Sequence, residues 1–206
     1  TAVIDLSSSC GTTIETFDML YNMRTIADPL YSHCLNVGLI TRMIGRWLHM
    51  EKTDVNTLTI AGVLHDIGKC KIPDDVLNKP DKLTDEEFAI MRTHAEKGGE
   101  IIKETFGHIG DGEYEKMAYE VARYHHEKWN GKGYPQGLTG EDIPLCARIM
   151  SVADVFDAVS AKRCYRDAMP LEQCFEIIEK GSGQDFDPDI AEVFLDMRER
   201  IGQVVG

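Results

Sequence analysis

The sequence predicts an all-α protein, and three observations carry that expectation. Apolar residues recur at helical spacing in one segment after another, as in Leu35, Leu39, Met43, Ile44 and Trp47. No segment shows a convincing two-residue alternation of the kind a half-buried strand requires. The punctuation is also helical: Thr84-Asp85-Glu86-Glu87 reads as a capping box, and Pro144 stands at the head of a long apolar run. The chain has 206 residues, 43% of them hydrophobic, enough core material for one large domain or two small ones. It shows no internal repeat.

Taken in order, residues 1–13 are small and polar and read as a linker or boundary, with the main domain spanning 14–206. A helix is expected over about 13–27, broken by Asp28-Pro29. A second starts near Ser32, runs to about residue 50 and carries His33 in its first turn. The third covers about 54–68, with Leu58, Ala61, Leu64 and His65 along one face and Lys71-Ile72-Pro73 ending it. The capping box opens a helix through Phe88, Met91 and His94, where Gly98-Gly99 either interrupts or permits close packing. Another helix is expected over about 112–126. The stretch 129–140 holds four glycines and a proline, which excludes helix and predicts a long ordered loop or a small hairpin. Residues 145–161 are apolar nearly all round, so a buried central helix is expected there. Two further helices are expected over about 171–180 and 188–201.

Charge and composition exclude several functions. The net charge of −13 argues against a general nucleic-acid or anionic-membrane surface, though a local pocket for a small anion remains open. No run of roughly eighteen apolar residues exists to span a membrane. The start of the chain lacks the basic and apolar regions of a signal peptide. It also lacks an initiator Met, which suggests a fragment of something longer. The six cysteines, Cys10, Cys34, Cys70, Cys146, Cys164 and Cys174, form no CxxC pair and are expected to be reduced thiols in a cytosolic protein.

Within that frame the sequence offers a chemical centre. His65 and Asp66 stand side by side in the apolar run 61–69. An unpaired buried carboxylate is costly, so it neutralises, pairs or binds a metal. The dipeptide alone also fits a core histidine beside a capping aspartate. Lys69, four residues after His65, is expected on the same helix face. Of the seven histidines, five share this setting on or at the end of probable helices: His33, His65, His94, His125 and His126. His49 and His108 lie in polar or loop surroundings and read as surface residues. Asp154 stands in another apolar run and needs a partner, which an arginine or a backbone amide could equally supply. Five imidazoles with Asp66 and Asp154 exceed the needs of one tetrahedral zinc. They suit two ions sharing Asp66, with a donor set that favours iron or manganese over structural zinc. Two such ions about 3.5–4 Å apart would activate water and clamp a phosphoryl group. Lys69 then suits a phosphate, or merely neutralises the carboxylates or caps the helix.

These motifs resemble a known family. His65-Asp66 is the mark of the HD superfamily of metal-dependent phosphohydrolases. The fuller pattern of His65-Asp66-Ile67-Gly68-Lys69, His94-Ala95-Glu96 and the run from His125-His126-Glu127 through Gly133-Tyr134-Pro135 is similar to the HD-GYP subfamily. So are Ile143-Pro144, Asp154-Val155-Phe156-Asp157-Ala158, Arg163-Cys164-Tyr165-Arg166 and Phe186-Asp187-Pro188. The resemblance covers about residues 20 to 200.

It implies an HD-domain helical bundle of about seven to nine helices with a Gly-rich loop or small hairpin, and a metal-dependent phosphodiesterase activity. The substrate it implies is a cyclic dinucleotide, chiefly cyclic di-GMP, cut to linear pGpG and perhaps on to GMP in bacterial signalling. By resemblance, His33, His65, Asp66 and Asp154 hold one divalent ion, while Asp66, His94, His125 and His126 hold the other. Iron or manganese is expected, with Zn, Ni, Co or Mg as alternatives. Asp66 and Lys69 are the catalytic candidates, with Lys69 on the substrate phosphate. Members with a third metal carry a glutamate where Pro29 stands here, Asp28 being one residue off, so a third ion is not expected. Cys164 stands where a proline is usual.

Lys132 and Tyr134 either face the substrate or a partner domain, or belong to a plain connection. Arg163 and Arg166 either bind phosphate or guanine, or form surface ion pairs. The implied partners are an N-terminal receiver or sensory domain and a diguanylate-cyclase-type domain, with no duplex nucleic acid. Two other functions remain open: a phosphohydrolase on another cyclic dinucleotide or nucleotide, and a non-catalytic nucleotide-binding module with structural metals.

Overall fold

Eight α-helices and two short 3-10 turns make up the regular structure of residues 29–106, 112–160 and 169–198, the parts of the chain that a computed structural model describes. The expected linker over 1–13 and helix over 13–27, together with Asp28, His108, Arg163, Cys164 and Arg166, lie outside the described residues. In chain order the helices are α1 (Pro29–Trp47), α2 (Lys52–Leu64), α3 (Asp74–Leu77), α4 (Asp85–Phe106), α5 (Glu113–Tyr124), α6 (Leu145–Ser160), α7 (Leu171–Gly181) and α8 (Pro188–Asp196). The 3-10 turns span Ile67–Lys71 and Gly140–Asp142. Among the described residues no strand forms, and only two isolated bridges occur, Asn130 with Thr139 and Ser182 with Phe186. The all-α expectation holds, and the Gly-rich stretch is an ordered loop closed by the first of these bridges.

The core is assembled around α6. Ile149, Met150, Val152, Ala153 and Phe156 are buried, which is why its sequence is apolar nearly all round. Phe156 meets Phe194 of α8 edge to face, with ring centroids 4.9 Å apart, and lies 5.4 Å from Phe175 of α7. On its other side α6 packs against α1 and α5. Helices α1 and α2 cross at Gly38 and Gly62: a Cβ on Gly62 would stand 2.9 Å from the Gly38 Cα, so only glycine permits this approach. The crossing brings the early turns of α1 beside the end of α2.

Several boundaries differ from the sequence expectation, each for a local reason. Helix α1 opens at Pro29 rather than near Ser32, since proline is tolerated in a first turn, where its missing N–H costs nothing. Helix α2 stops at Leu64 rather than Gly68. His65 still has helical dihedrals, but Asp66 turns to φ −96°, ψ 11°, and the chain tightens into the 3-10 turn. His65 and Lys69 therefore do not share an α-helix face. Lys69 is instead placed by the 3-10 turn, where its Nζ donates to Asp66 Oδ2 at 2.6 Å. The capping box forms as expected: Thr84 N–H donates to Glu87 Oε2 at 2.7 Å, and Glu87 N–H to Thr84 Oγ1 at 3.3 Å. Helix α4 then runs unbroken through Gly98-Gly99. Pro144 sits just before α6, its carbonyl accepting from the amides of Ala147 and Arg148. No disulfide links Cys34, Cys70, Cys146 and Cys174. Among the described residues no helix is long and apolar enough to cross a membrane.

Candidate metal centre

Five elements send side chains to one buried point. His33 comes from α1. His65 and Asp66 come from the turn after α2, and His94 from α4. His125 and His126 follow the end of α5, and Asp154 projects from α6. The ligand-type atoms fall into two groups. His33, His65 and Asp66 offer atoms within 4.8 Å of one another, and so do His94, His125 and His126.

Asp66 stands between the groups and faces each with a different oxygen. Its Oδ2 lies 3.3 Å from His65 Nε2 and 3.9 Å from His33 Nε2. Its Oδ1 lies 3.4 Å from His94 Nε2 and 3.9 Å from His125 Nε2. Asp154 Oδ1 closes the first group, 3.2 Å from His33 Nε2 and 3.9 Å from His65 Nε2.

The outer ring nitrogens fix which lone pairs face inward. A backbone carbonyl only accepts, so an Nδ1 against one must carry the proton. His65 Nδ1 donates to Gly62 O at 2.7 Å, His94 Nδ1 to Met91 O at 2.7 Å, and His125 Nδ1 to Val121 O at 3.0 Å. In neutral rings their Nε2 lone pairs then point into the centre. His94 Nε2 and His125 Nε2 stand 3.3 Å apart, a repulsive approach of two lone pairs unless a cation lies between them. In a neutral ring the buried His65 Nε2 lone pair faces only the Asp66 carboxylate, 3.3 Å away, two acceptors that a cation would satisfy together. These residues fit a pair of metal ions. His33, His65, Asp66 and Asp154 could hold one, and Asp66, His94, His125 and His126 the other.

The electrostatics of the two groups differ. Burial pulls His33 down, but the Asp154 and Asp157 carboxylates outweigh it and raise the imidazole to about 9. His65 is likewise raised, burial being overcome mainly by Asp66. Burial pushes Asp66 up, yet His65 and Lys69 hold it well below the usual carboxylate range. Asp154 is held below that range in the same way, by His33 and His65 against burial. In the second group burial prevails. It lowers His94 and His125, and takes His126 down to about 4. Cys34, next to His33, is pushed up to about 11 by burial and by Asp66, so it remains a thiol.

Other expected site residues are spread unevenly. The Tyr134 ring stacks on His126, centroids 4.7 Å apart at 33°, and so borders the second group. Lys132 is exposed on the loop, and its backbone amide donates to Asn130 Oδ1 at 3.0 Å. His49 is exposed, with φ 55°, as a surface reading requires.

Three contributors escaped sequence reasoning. Asp157, buried behind the cluster, accepts from His33 Nδ1 at 2.8 Å and from Asn36 Nδ2 at 3.0 Å. Its signal was its position one turn after Asp154 on an apolar helix. Arg92 places its guanidinium 4.5 Å over the outer face of Tyr134, and no local signal could have found that. Glu127 was visible within its motif, but its role depends on a loop ten residues away.

A fold built around a His-Asp pair, with histidines and a second aspartate converging from other helices, is that of a metal-dependent HD phosphohydrolase. Residues 18–190 match the family described as "HD domain". The chain belongs to this family and, by its fuller motif, to its HD-GYP type. It is 47% identical over 137 residues to a cyclic di-GMP phosphodiesterase of Vibrio cholerae, covering 66% of this chain and 28% of that protein. It is 34% identical over 201 residues to 3'3'-cGAMP-specific phosphodiesterase 2 of the same organism, covering 90% of this chain and 38% of that protein. The chain thus spans well under half the length of either relative. Among solved structures, the HDG"Y"P protein Bd1817 of Bdellovibrio bacteriovorus superposes with a TM-score of 0.64 at 17% identity, over 90% of this chain and 61% of that one, a likeness of fold.

Proposed function

We propose that this chain is the catalytic domain of a metal-dependent phosphodiesterase that opens a cyclic dinucleotide, cyclic di-GMP first, to linear pGpG. The observation that carries the reading is the placement of Asp66, one oxygen toward each ligand group. The ligands are His33, His65, Asp66 and Asp154 for one ion, and Asp66, His94, His125 and His126 for the other. An all-imidazole and carboxylate donor set favours iron or manganese. When bound, two such ions supply an activated water and a clamp for the phosphoryl oxygens.

The chain's own residues do the rest. The Nδ1–H groups of His65, His94 and His125 hold those three rings so that Nε2 faces inward. Burial keeps His94, His125 and His126 neutral at ordinary pH, ready to coordinate. Lys69, half-buried beside Asp66, sets a positive charge next to the position a phosphate would take. Tyr134 and Arg92 border the His126 side and offer a phenol edge and a cation to a nucleotide. Likeness to relatives named for cyclic di-GMP and for 3'3'-cGAMP supports a cyclic dinucleotide and leaves the choice between these two to experiment. Placement behind an N-terminal receiver or sensory domain in the cytoplasm, alongside a diguanylate-cyclase-type partner, completes the proposal.

The test is product release. Protein loaded anaerobically with Mn²⁺ or Fe²⁺ is incubated with cyclic di-GMP and with 3'3'-cGAMP, and linear products are followed by chromatography. Expected is linear pGpG from cyclic di-GMP. Binding without any linear product from either would instead support the non-catalytic nucleotide-binding reading.

A further inference from the structure

Glu127 follows the two histidines directly and is 3% exposed. Its carboxylate does not point at the metal-ligand groups. Oε1 accepts the backbone N–H of Gln136 at 2.7 Å and of Gly137 at 3.1 Å, and Oε2 accepts that of Leu138 at 3.1 Å. Three successive amides of the Gly-rich loop are thus held by one buried carboxylate. Charge-assisted bonds of this kind are about twice as strong as neutral ones. The same loop is drawn against residues 126–128 at its other end. Tyr134 N–H donates to His126 O at 3.2 Å, and a Cβ on Gly133 would stand 2.3 Å from Lys128 N. Between these two anchors lies the Tyr134 ring, stacked on His126 within and covered by Arg92 without.

We infer that Glu127 is a positioning residue: by holding the amides of 136–138 it keeps Tyr134 seated on His126, where the ring contacts the bound cyclic dinucleotide. The inference rests on the proposed function for its substrate contact, and on the loop geometry alone for the holding. A carboxylate suits the task because it accepts without donating. Glutamine would keep one acceptor oxygen and turn an NH2 group toward a remaining amide, so it should serve partly.

The experiment measures kcat and KM for cyclic di-GMP on Mn²⁺-loaded wild type, Glu127→Ala, Glu127→Gln, Tyr134→Ala and the Glu127→Ala/Tyr134→Ala double variant. Metal content and amide hydrogen exchange are read on the same preparations. Expected for Glu127→Ala is a loss of about tenfold to a hundredfold in kcat/KM, carried mainly by KM, with metal content retained. Glu127→Gln should lose less. The double variant should be no worse than the poorer single one, because both changes remove the same contact. Exchange at 136–138 should accelerate while the helices keep their protection. Losses that multiply in the double variant, an unchanged KM, or unchanged exchange at 136–138 would each overturn the inference. If Glu127→Ala fails to fold or to hold metal, Glu127→Gln decides: a raised KM with full metal supports positioning, and a wild-type KM refutes it. A wild-type protein that cleaves no cyclic dinucleotide sinks the proposed function instead. The exchange at 136–138 then decides the holding role by itself.

Discussion

Gly68 is the position where the smallest change should do the most damage. It lies in the 3-10 turn that carries Asp66 and Lys69, and it packs directly on α4. A Cβ there would stand 1.9 Å from His94 O, 2.5 Å from Gly98 N and 2.9 Å from Gly98 Cα, all backbone atoms. No side chain can rotate away, so the turn must move from α4 by about 1 Å or more. Overpacking of this kind costs roughly 1–3 kcal/mol, and contacts made only with backbone put Gly68→Ala at the upper end. For a chain of this size, about 3 kcal/mol corresponds to a Tm lowered by roughly 6–12 °C. The same movement takes Asp66 Oδ1 from its 3.4 Å approach to His94 Nε2, and a 1 Å misplacement can cost about a hundredfold in rate. Calorimetry on metal-free protein gives the stability term, and elemental analysis with kcat/KM after loading gives the site term. Gly98→Ala is the control. Its Cβ would meet Ala122 Cβ and Gly68 N no closer than 3.4 Å, and alanine within a helix gains up to about 1 kcal/mol over glycine, so its Tm should stay or rise. A Gly68→Ala protein with wild-type Tm and full metal content would show that the turn is not locked to α4, and the argument would fail.

Three further outcomes are expected. Asp66→Ala should lose both ions and all turnover, whereas His49→Ala, exposed and remote, should change neither; equal behaviour in elemental analysis would mean the cluster is not the site. Lys69→Ala should keep its ions and lose about tenfold to a hundredfold in kcat/KM, the worth of a charge-assisted hydrogen bond of roughly 1.5–3 kcal/mol; wild-type kinetics from the loaded variant would reduce Lys69 to a neutralising partner of Asp66. In metal-free protein His33 is raised from 6.5 to about 9, so its contribution to stability is complete below pH 6.5 and is lost as pH rises through about 9. The Tm of apo wild type should therefore fall across that window, and that of His33→Ala should fall less; parallel curves would remove His33 as the source.

Much of this molecule was legible in its sequence. Period and punctuation are local properties, so the helical class, the Thr84–Glu87 capping box, the buried α6 and the non-helical loop at 129–140 all follow from neighbours along the chain. The chemistry of the candidate centre was legible for a similar reason. A histidine or aspartate in an apolar run needs a partner whatever the fold, and His65, Asp66 and Asp154 stand in such runs, while His33, His94, His125 and His126 lie on or at the end of helices. What lay beyond the sequence depends on contacts between distant segments. Helix α2 ends at Leu64 because the following turn packs on α4 through Gly68, a constraint set by a helix about thirty residues later. Arg92 reaches Tyr134, Asp157 reaches His33 and Glu127 reaches the loop across separations that no periodicity records. The two oxygens of Asp66 face two different sets of imidazoles only because five elements close on one point. The residue types able to bind metal are therefore written along the chain, and resemblance to a family already sorts them into two groups, while the direction in which each donor atom faces, and the loop seated beside one group, come from tertiary packing: a lone pair's direction is set by what holds the other end of its ring.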